Sequence, residues 1–427
     1  MHLRRSTIAS LESPDSFEWL AGIEDTFITA PSPKTGRTLD EYELTGHYAR
    51  WFDDLDLFAE LGLKAVRYGI PWHRVNAAAG RWDFTWIDGP LERLLDLGIQ
   101  PVVDLVHYGL PAWIDGAYLN PDYDHLVAEY AARVAERYKG RIYTYTPLNE
   151  PRIAGWYCGR LGWWPPARRG WRGFVSVLLA VCRGIVRTVE AQRAVDPEIV
   201  HAHVDATDLY EAASEDLAEE AARRQAIVFL ALDLITGRVD ADHELASWLL
   251  AQGVAPAELE WFLAHAIELD IVGINLYPLF SRKRLVRKAG KLRMEMPYAD
   301  ATIVEKLAAI YCHRYGRPVF ISETASSGTV QRRAAWLDES VAAVRRARSR
   351  GVSLIGYTWW PLFALVTWGY REGHKAPHEY LKQMGLWDLR PSDRGFERVR
   401  TVLVDRYREL VASGVQRVGS IARTASV

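Results

Sequence analysis

Short apolar runs alternate along this chain with longer stretches in which apolar residues recur at every third and fourth position. The short runs are 17–23 (FEWLAGI), 63–70 (LKAVRYGI), 100–107 (QPVVDLVH), 142–149 (IYTYTPLN), 198–204 (EIVHAHV), 269–277 (LDIVGINLY), 317–323 (RPVFISE) and 352–360 (VSLIGYTWW). Their length and their β-branched and aromatic content are those of buried strands. The longer stretches, such as 86–97 (WIDGPLERLLDL), 123–138 (YDHLVAEYAARVAERY) and 329–349, carry the period of an amphipathic helix. Gly62, Gly98, Gly140, Gly316 and Gly351 stand where a helix ends and the next strand begins. Eight strand–helix units in succession predict a parallel α/β fold, a (β/α)8 TIM barrel. Two excursions interrupt the rhythm: residues 206–262 after strand five, mostly helical, and the basic residues 281–293 (SRKRLVRKAGKLR) after strand six, which read as a solvated excursion. Residues 1–412 read as one domain and 413–427 as a flexible tail.

Composition narrows the class. With 427 residues, 49% hydrophobic and 25% charged, the chain has the profile of a globular protein able to bury a large core. A net charge of −2 argues against nucleic acid or an anionic membrane as the principal partner. No run approaches the roughly 18 apolar residues of a membrane span. The first residues hold two arginines but no apolar segment after them, so they do not read as a secretory signal. Cys158, Cys182 and Cys312 form no close-spaced motif, which points to a reducing, cytoplasmic setting. No GxGxxG follows the first strand and no Gly-rich phosphate loop occurs, so no nucleotide cofactor is expected. The 17 tryptophans and 20 tyrosines, many near strand ends, suit a large core and equally the flat faces that stack on sugar rings.

The polar residues at strand ends carry the chemistry, because catalytic groups of such barrels collect at the C-terminal ends of the strands. Strand two offers Arg67, strand three His107, strand four Asn149 and Glu150, strand five His201 and His203, strand six Asn275 and Tyr277, strand seven Glu323, and strand eight Trp360. A lone strand-end glutamate is ordinarily a salt-bridge partner, and a lone buried arginine is ordinarily structural. Two carboxyls on strands four and seven, facing across the mouth, are what glycoside hydrolysis requires: one acid to protonate the leaving oxygen and one carboxylate on the opposite face. Arg67 would keep Glu323 ionised through a charge-assisted hydrogen bond, and the Tyr277 hydroxyl would donate to the same carboxylate. Asn149 would bind a sugar hydroxyl beside the reacting carbon. Glu150 would need a pKa raised by burial and by the charge of Glu323 to act as an acid near neutrality. Such chemistry needs no cofactor; its partner is a carbohydrate or glycoside substrate.

These motifs, in this order, resemble family 1 glycoside hydrolases, the β-glucosidase type within the clan of retaining (β/α)8 glycosidases. PLNEP (147–151) resembles that family's acid/base motif and ISETA (321–325) its nucleophile motif. LGLKAVRYGIPWHRV (61–75), LLDLGIQPVVDLVHYGLPAWI (94–114), LDIVGINLYP (269–278), GYTWWPL (356–362) and MGLWDL (384–389) resemble its second, third, sixth and eighth strands and the segment that follows. The resemblance runs from about residue 17 to 412. It implies Glu150 as acid/base, Glu323 as nucleophile, Arg67 and Tyr277 as the nucleophile's partners, His107 and Asn149 as contacts to the sugar, and Trp360 as a stacking platform; Asn275, at the end of strand six, is a further candidate for substrate binding. The sequence departs from the family where glucose-type members bind the distal hydroxyls. Ala364, Leu365 and Thr367 replace an Asp-Asn pair and a Glu, with only Trp368 kept; the first strand offers Glu24 and Asp25 where a Gln is usual; and Ser322 and Thr324–Ala325 flank Glu323 in place of Thr and Asn-Gly. The expectation is a retaining β-glycosidase whose sugar site is not tuned to glucose, with Trp368, Glu24 and Asp25 among the residues left to contact the sugar. The alternatives are a non-catalytic carbohydrate-binding barrel, a transglycosylase sharing the first half-reaction, and a zinc hydrolase built on His201 and His203, two residues apart on one strand face.

Overall fold

The computed structural model describes residues 17–414; the expected tail beyond 414 lies outside the described residues. Eight parallel strands close into a barrel: β1 (Glu18–Gly22), β2 (Ala65–Gly69), β3 (Gln100–Asp104), β4 (Thr144–Thr146), β5 (Val200–Ala206), β6 (Ile271–Asn275), β7 (Val319–Thr324) and β8 (Leu354–Trp359). β1 closes the ring, pairing Leu20 with Ala65 of β2 and Glu18 with Gly356 of β8. Each strand is followed by a helix of the outer layer: α1 (His47–Leu61), α2 (Thr85–Asp96), α3 (Tyr123–Tyr138), α4 (Gly170–Val195), α5 (Ala218–Ile235), α6 (Thr302–Tyr315), α7 (Val330–Ser349) and α8 (Val402–Ser413). α3 shows why these stretches fold as they do. Tyr123, Val127, Tyr130, Ala131, Val134, Ala135 and Tyr138 fall on one stripe and are buried, while the charged positions between them face out. α1 and α6 end on Gly62 and Gly316, whose φ angles of 74° and 64° are the left-handed cap that glycine adopts without strain.

The strand period of two decides what enters the barrel. Leu20, Ala65, Val102, Val200, Ala202, Val204, Ile271, Phe320 and Ile355, from seven of the strands, form an apolar plug of their own, separate from the larger core between strands and helices. Continuing the same faces toward the C-terminal ends brings Arg67, Asp104 and Asn275 in above that plug. On β5 the alternate positions His201, His203 and Asp205 face the helix layer instead. β7 carries register shifts between Ile321 and Glu323 against β6, and between Ile321 and Thr324 against β8. Such irregularities at a barrel rim re-aim side chains.

The two excursions pair with each other. Leu209–Ala212, just after β5, runs parallel to Arg282–Lys288, which forms a hairpin with Lys291–Glu295. The basic segment is therefore part of a small sheet rather than the free excursion its charge suggested. Arg282 meets Glu211, Arg287 meets Asp216 and Lys288 meets Glu295, at 3.0, 2.6 and 2.7 Å. Two of the acidic partners, Glu211 and Asp216, come from the other excursion, each 71 residues away, so strand pairing was the piece that charge alone could not supply. Among the described residues no helix is long and apolar enough to cross a membrane.

The turn after β3 packs tightly on the turn after β1. A Cβ at Gly109 would lie 1.4 Å from the Phe27 carbonyl oxygen, and Phe27 N–H donates to His107 O at 3.3 Å. Neither backbone can yield without moving residues 107 and 108. Gly109→Ala is expected to cost about 3 kcal/mol or more, seen as a lower urea midpoint; a midpoint unchanged from the native chain would show that the two turns are not locked.

Candidate active site

Arg67 is the centre of the mouth. Its guanidinium is fully buried, and Nη1 carries two hydrogens, one toward Glu323 Oε1 at 2.8 Å and one toward Ser322 O at 3.0 Å. Nη2 reaches Asp104 Oδ2 at 3.3 Å and Asn149 Oδ1 at 3.2 Å. Glu24 Oε1 lies 2.7 Å from Nη1, yet neither oxygen of Glu24 receives an aligned hydrogen, because both Nη1 hydrogens are already committed. Glu24 thus feels the charge without the hydrogen bond. Gly22 makes room for it: a Cβ there would sit 2.4 Å from Glu24 Oε2. Tyr277 completes the surroundings of Glu323, its hydroxyl donating to Oε2 at 2.7 Å.

Glu150 sits across the mouth, at the N-terminus of a short helix, Pro151–Ala154, with φ at 51°. A non-glycine residue in the left-handed region is uncommon and marks a position held by its surroundings. Its Oε1 accepts from Asn275 Nδ2 at 3.0 Å, and its Oε2 accepts from the Tyr108 hydroxyl. Two amides are oriented by their partners. Asn149 Oδ1 accepts from Arg67 and, at 3.3 Å, from Asn275 Nδ2, so its Nδ2 is left to donate to His107 Nε2 at 3.1 Å and to the Tyr108 oxygen at 3.2 Å. Asn275 Oδ1 accepts from the Ser322 hydroxyl at 2.6 Å. His107 Nε2 is then an acceptor, which places the ring hydrogen on Nδ1, 3.0 Å from Asp104 Oδ2. A single hydrogen-bonded chain runs from one carboxyl to the other through Arg67, Asn149 and Asn275.

Burial is unevenly compensated in this network. Burial, followed by the charge of Glu323, pushes the Glu150 carboxyl up to about 7, with the Tyr108 and Asn275 hydrogen bonds pulling the other way. Burial pushes Asp25 up to about 7 as well. Glu24 is raised well above the carboxylate range, burial outweighing the nearby Arg67, and Glu41, behind Asp25, is raised in the same direction by burial.

The strand-end residues singled out in the sequence meet here: Arg67, His107, Asn149, Glu150, Asn275, Tyr277 and Glu323 share the network just described. Trp360 lies beside it, its indole nearly parallel to His107 at 6.5 Å and its N–H donating to Glu24 O at 2.7 Å. Trp368 donates to the Thr26 hydroxyl at 3.0 Å and stacks edge-on with Tyr108, Tyr157 and Trp164. His201 and His203 do not join them. His201 Nε2 pairs with Gln192 of α4 at 3.1 Å, and burial lowers His203 to about 3, so this pair belongs to the strand–helix interface and not to the mouth. That removes the geometric basis for a zinc centre at the barrel mouth. Tyr108, Asp104, Tyr157, Trp164 and Glu41 belong to the site but were not singled out, and Ser322 was noted only as a departure beside Glu323. Asp104 and Ser322 had a readable signal, since each continues the inward face of its strand two residues beyond Val102 and Phe320; Tyr108 and Trp164 sit in irregular loops, and Tyr157 in a π-helical segment (Gly155–Arg160), where neither the strand nor the α-helix period applies.

Comparison with known proteins came out in one direction. The family model for glycosyl hydrolase family 1 matches residues 20–234. The chain is 34% identical over 127 residues to a bifunctional β-D-glucosidase/β-D-fucosidase of Bifidobacterium breve, covering 27% of this chain and 26% of that protein. It is 32% identical over 113 residues to β-glucosidase A of Thermotoga maritima, covering 25% of each. The aligned stretches thus span about a quarter of the length of these relatives. In three dimensions the chain superposes on a family 1 β-glucosidase from Thermotoga maritima with a TM-score of 0.79 at 21% identity, covering 94% of this chain and 98% of that one, a likeness of fold.

The acidic cluster makes a prediction about stability. Asp25 keeps its proton in the folded chain up to about pH 7, whereas an unfolded aspartate releases it near pH 4. The folded state therefore binds more protons between those limits, and stability falls as pH rises through them. Asp25→Asn removes that dependence. Its denaturant midpoint is expected to exceed that of the native chain at pH 8 and to match it near pH 4; equal midpoints at both pH values would contradict the assignment.

Proposed function

This chain belongs to glycosyl hydrolase family 1, and from that premise we propose that it is a retaining β-glycosidase, with Glu323 as nucleophile and Glu150 as acid/base. The observation that carries the reading is the contrast between two buried carboxyls at one mouth. Glu323 receives Arg67 Nη1 and the Tyr277 hydroxyl, at 2.8 and 2.7 Å. Glu150 has no cation of its own and is pushed up to about 7. One is equipped to carry negative charge and the other to hold a proton, the division of labour that two-carboxyl hydrolysis needs.

In the first step Glu150 gives its proton to the glycosidic oxygen while Glu323 attacks the anomeric carbon from the opposite face. The bond to the aglycone breaks, the aglycone leaves as a neutral alcohol, and a glycosyl ester forms on Glu323. Glu150, now ionised, takes a proton from water, which attacks the same carbon and returns Glu323 to the carboxylate. Arg67 and Tyr277 hold Glu323 on one side of the ring. A sugar hydroxyl is proposed to take the place of the Asn149–His107 hydrogen bond, accepting from Asn149 Nδ2 and donating to His107 Nε2; Asn275 holds Glu150 Oε1, and Trp360 and Trp368 offer their faces to the ring.

The sugar is proposed to differ from glucose. Thr367 stands where glucose-type members carry a glutamate, and a hydroxyl cannot replace a charged, bidentate acceptor. A site lacking that acceptor loses much of its discrimination for the usual hydroxyl pattern. Glu24, just after β1, is held against Arg67, leaving Asp25 as the acidic contact for the distal hydroxyls.

A panel of aryl β-glycosides tests this. Glu323→Gln is expected to lose turnover altogether. Glu150→Ala should fall by about 10²–10⁴ with a poor leaving group and less with an activated one. The first sugar released, read by NMR, should be the β-anomer; an α-anomer, or variants as active as the native chain, would sink the proposal. With poor leaving groups, kcat/KM should decline above about pH 7, as Glu150 loses its proton.

A further inference from the structure

Tyr108 is the residue of the mouth whose chemistry the reaction above leaves unused. It is buried, and its hydroxyl donates to Glu150 Oε2 while accepting from Asn149 Nδ2 at 3.2 Å. Its backbone is held in the left-handed region, at φ 66°, as is that of Glu150 at φ 51°. These two are among only five non-glycine residues with positive φ in the described chain, and they are each other's hydrogen-bond partners. A tyrosine in that conformation costs of order 1 kcal/mol or more, so it persists because the surroundings fix it. They do so from every side. The Tyr118 hydroxyl donates to the Tyr108 carbonyl at 2.9 Å, Gly109 is wedged against Phe27 O, and the ring lies between Trp164 and Trp368 with centroids at 5.3 and 5.7 Å.

The direction of the hydrogen bonds says what this placement does. A phenol has one hydrogen and can accept twice. When Glu150 is ionised, Tyr108 donates to Oε2 and accepts from Asn149, and every group is satisfied. When a proton sits on Oε2, that proton points at the phenol oxygen. The oxygen then accepts twice, and the phenol hydrogen has no other acceptor in contact among the described residues. Asn149 cannot turn to provide one, because its Oδ1 is held by Arg67 and Asn275 at 3.2 and 3.3 Å. We propose that Tyr108 is a positioning residue that fixes Glu150 Oε2 and favours its ionised form, preparing this carboxyl to act as base in the second half of the reaction. The inference rests on the acid/base role given to Glu150 above. Burial and Glu323 favour the proton needed for the first step; Tyr108 is the counterweight that lets the same group release it for the second.

The test separates this inference from the role of Glu150 itself. Glutamate carboxyls are labelled with 13C, the Glu150 signal is assigned with Glu150→Gln, and the signal is titrated in the native chain and in Tyr108→Phe. The expected result is a Glu150 midpoint higher by about one unit in Tyr108→Phe, a tenfold gain in proton affinity. Replacing Tyr108 with 3-fluorotyrosine keeps its shape and makes it a stronger donor, so the midpoint should move down; this second variant serves also if the phenylalanine variant folds poorly. On a substrate with a poor leaving group, the basic limb of kcat/KM should move with the NMR midpoint in both variants. A midpoint that stays fixed, or that moves up with 3-fluorotyrosine, overturns the proposal. The titration needs no turnover, so a native chain inactive on every glycoside would refute the glycosidase reading and leave this measurement to decide Tyr108 alone.

Discussion

A single buried guanidinium organises the mouth of this barrel. Taking a cation out of water costs several kcal/mol even after relaxation, and only well-placed acceptors offset it. Arg67 finds them on three other strands or their ends: Ser322 and Glu323 from β7, Asp104 from β3 and Asn149 after β4, with Glu24 after β1 in charge contact but without a hydrogen bond. The strand period brings Arg67 and Asp104 to the interior above the apolar plug, where both are buried. The consequence is that the position of Glu323 and the closure of the barrel are not separable. A change that displaces the guanidinium strands several acceptors at once, and a change that opens the barrel displaces the guanidinium.

One cation cannot balance what surrounds it. Glu24, Asp25, Glu41, Asp104, Glu150 and Glu323 are all buried near the mouth, and Arg67 is in contact with three of them. The surplus is relieved in one direction: burial favours protons on Glu24, Asp25, Glu41 and Glu150, raising each above the usual carboxylate range. Those protons make the folded state less stable at higher pH, the cost that active sites commonly impose on a fold. The proposed acid is then a by-product of crowding: burial, followed by the charge of Glu323, raises Glu150, while the one cation contacts Glu323 instead. Asn275 ties Glu150 to the strand of Glu323, bonding Glu150 while its own oxygen accepts from the hydroxyl of Ser322, the neighbour of Glu323.

How much of this could be read from the sequence depended on period. Wherever a residue's direction followed the strand alternation, a strand-end list was enough: Arg67 and Asn275 were legible as inward groups once the strands were placed, whereas Glu323, odd against the inward Phe320, is brought to the mouth by the register shift in β7. HAHVD was ambiguous because alternation gives two faces and not their assignment; Val200, Ala202 and Val204 fill the barrel, so the histidines take the helix side. The basic hairpin was legible as charge but not as structure, since its partners Glu211 and Asp216 come from another excursion. Tyr108 was illegible for a further reason. It follows His107 in a turn where a left-handed backbone reverses the direction of the side chain, and no period predicts that reversal.

The same distinction bears on the sugar. The indole N–H of Trp360 is spent on Glu24 O and that of Trp368 on the Thr26 hydroxyl. Neither tryptophan has a donor left, so each can offer a ligand only an apolar face, which suits the axial C–H groups of a pyranose and says nothing about its hydroxyls. The groups with free polar capacity at that side of the mouth come from the turn after β1, the segment where this chain departs from glucose-type members. In the proposed enzyme the retained residues therefore govern where the bond breaks, through Arg67, and the replaced ones govern which ring is admitted. That division follows from the packing: Arg67 has no freedom to change partners without loss of the barrel, whereas the β1 turn contacts the pocket from outside the guanidinium's reach except at Glu24.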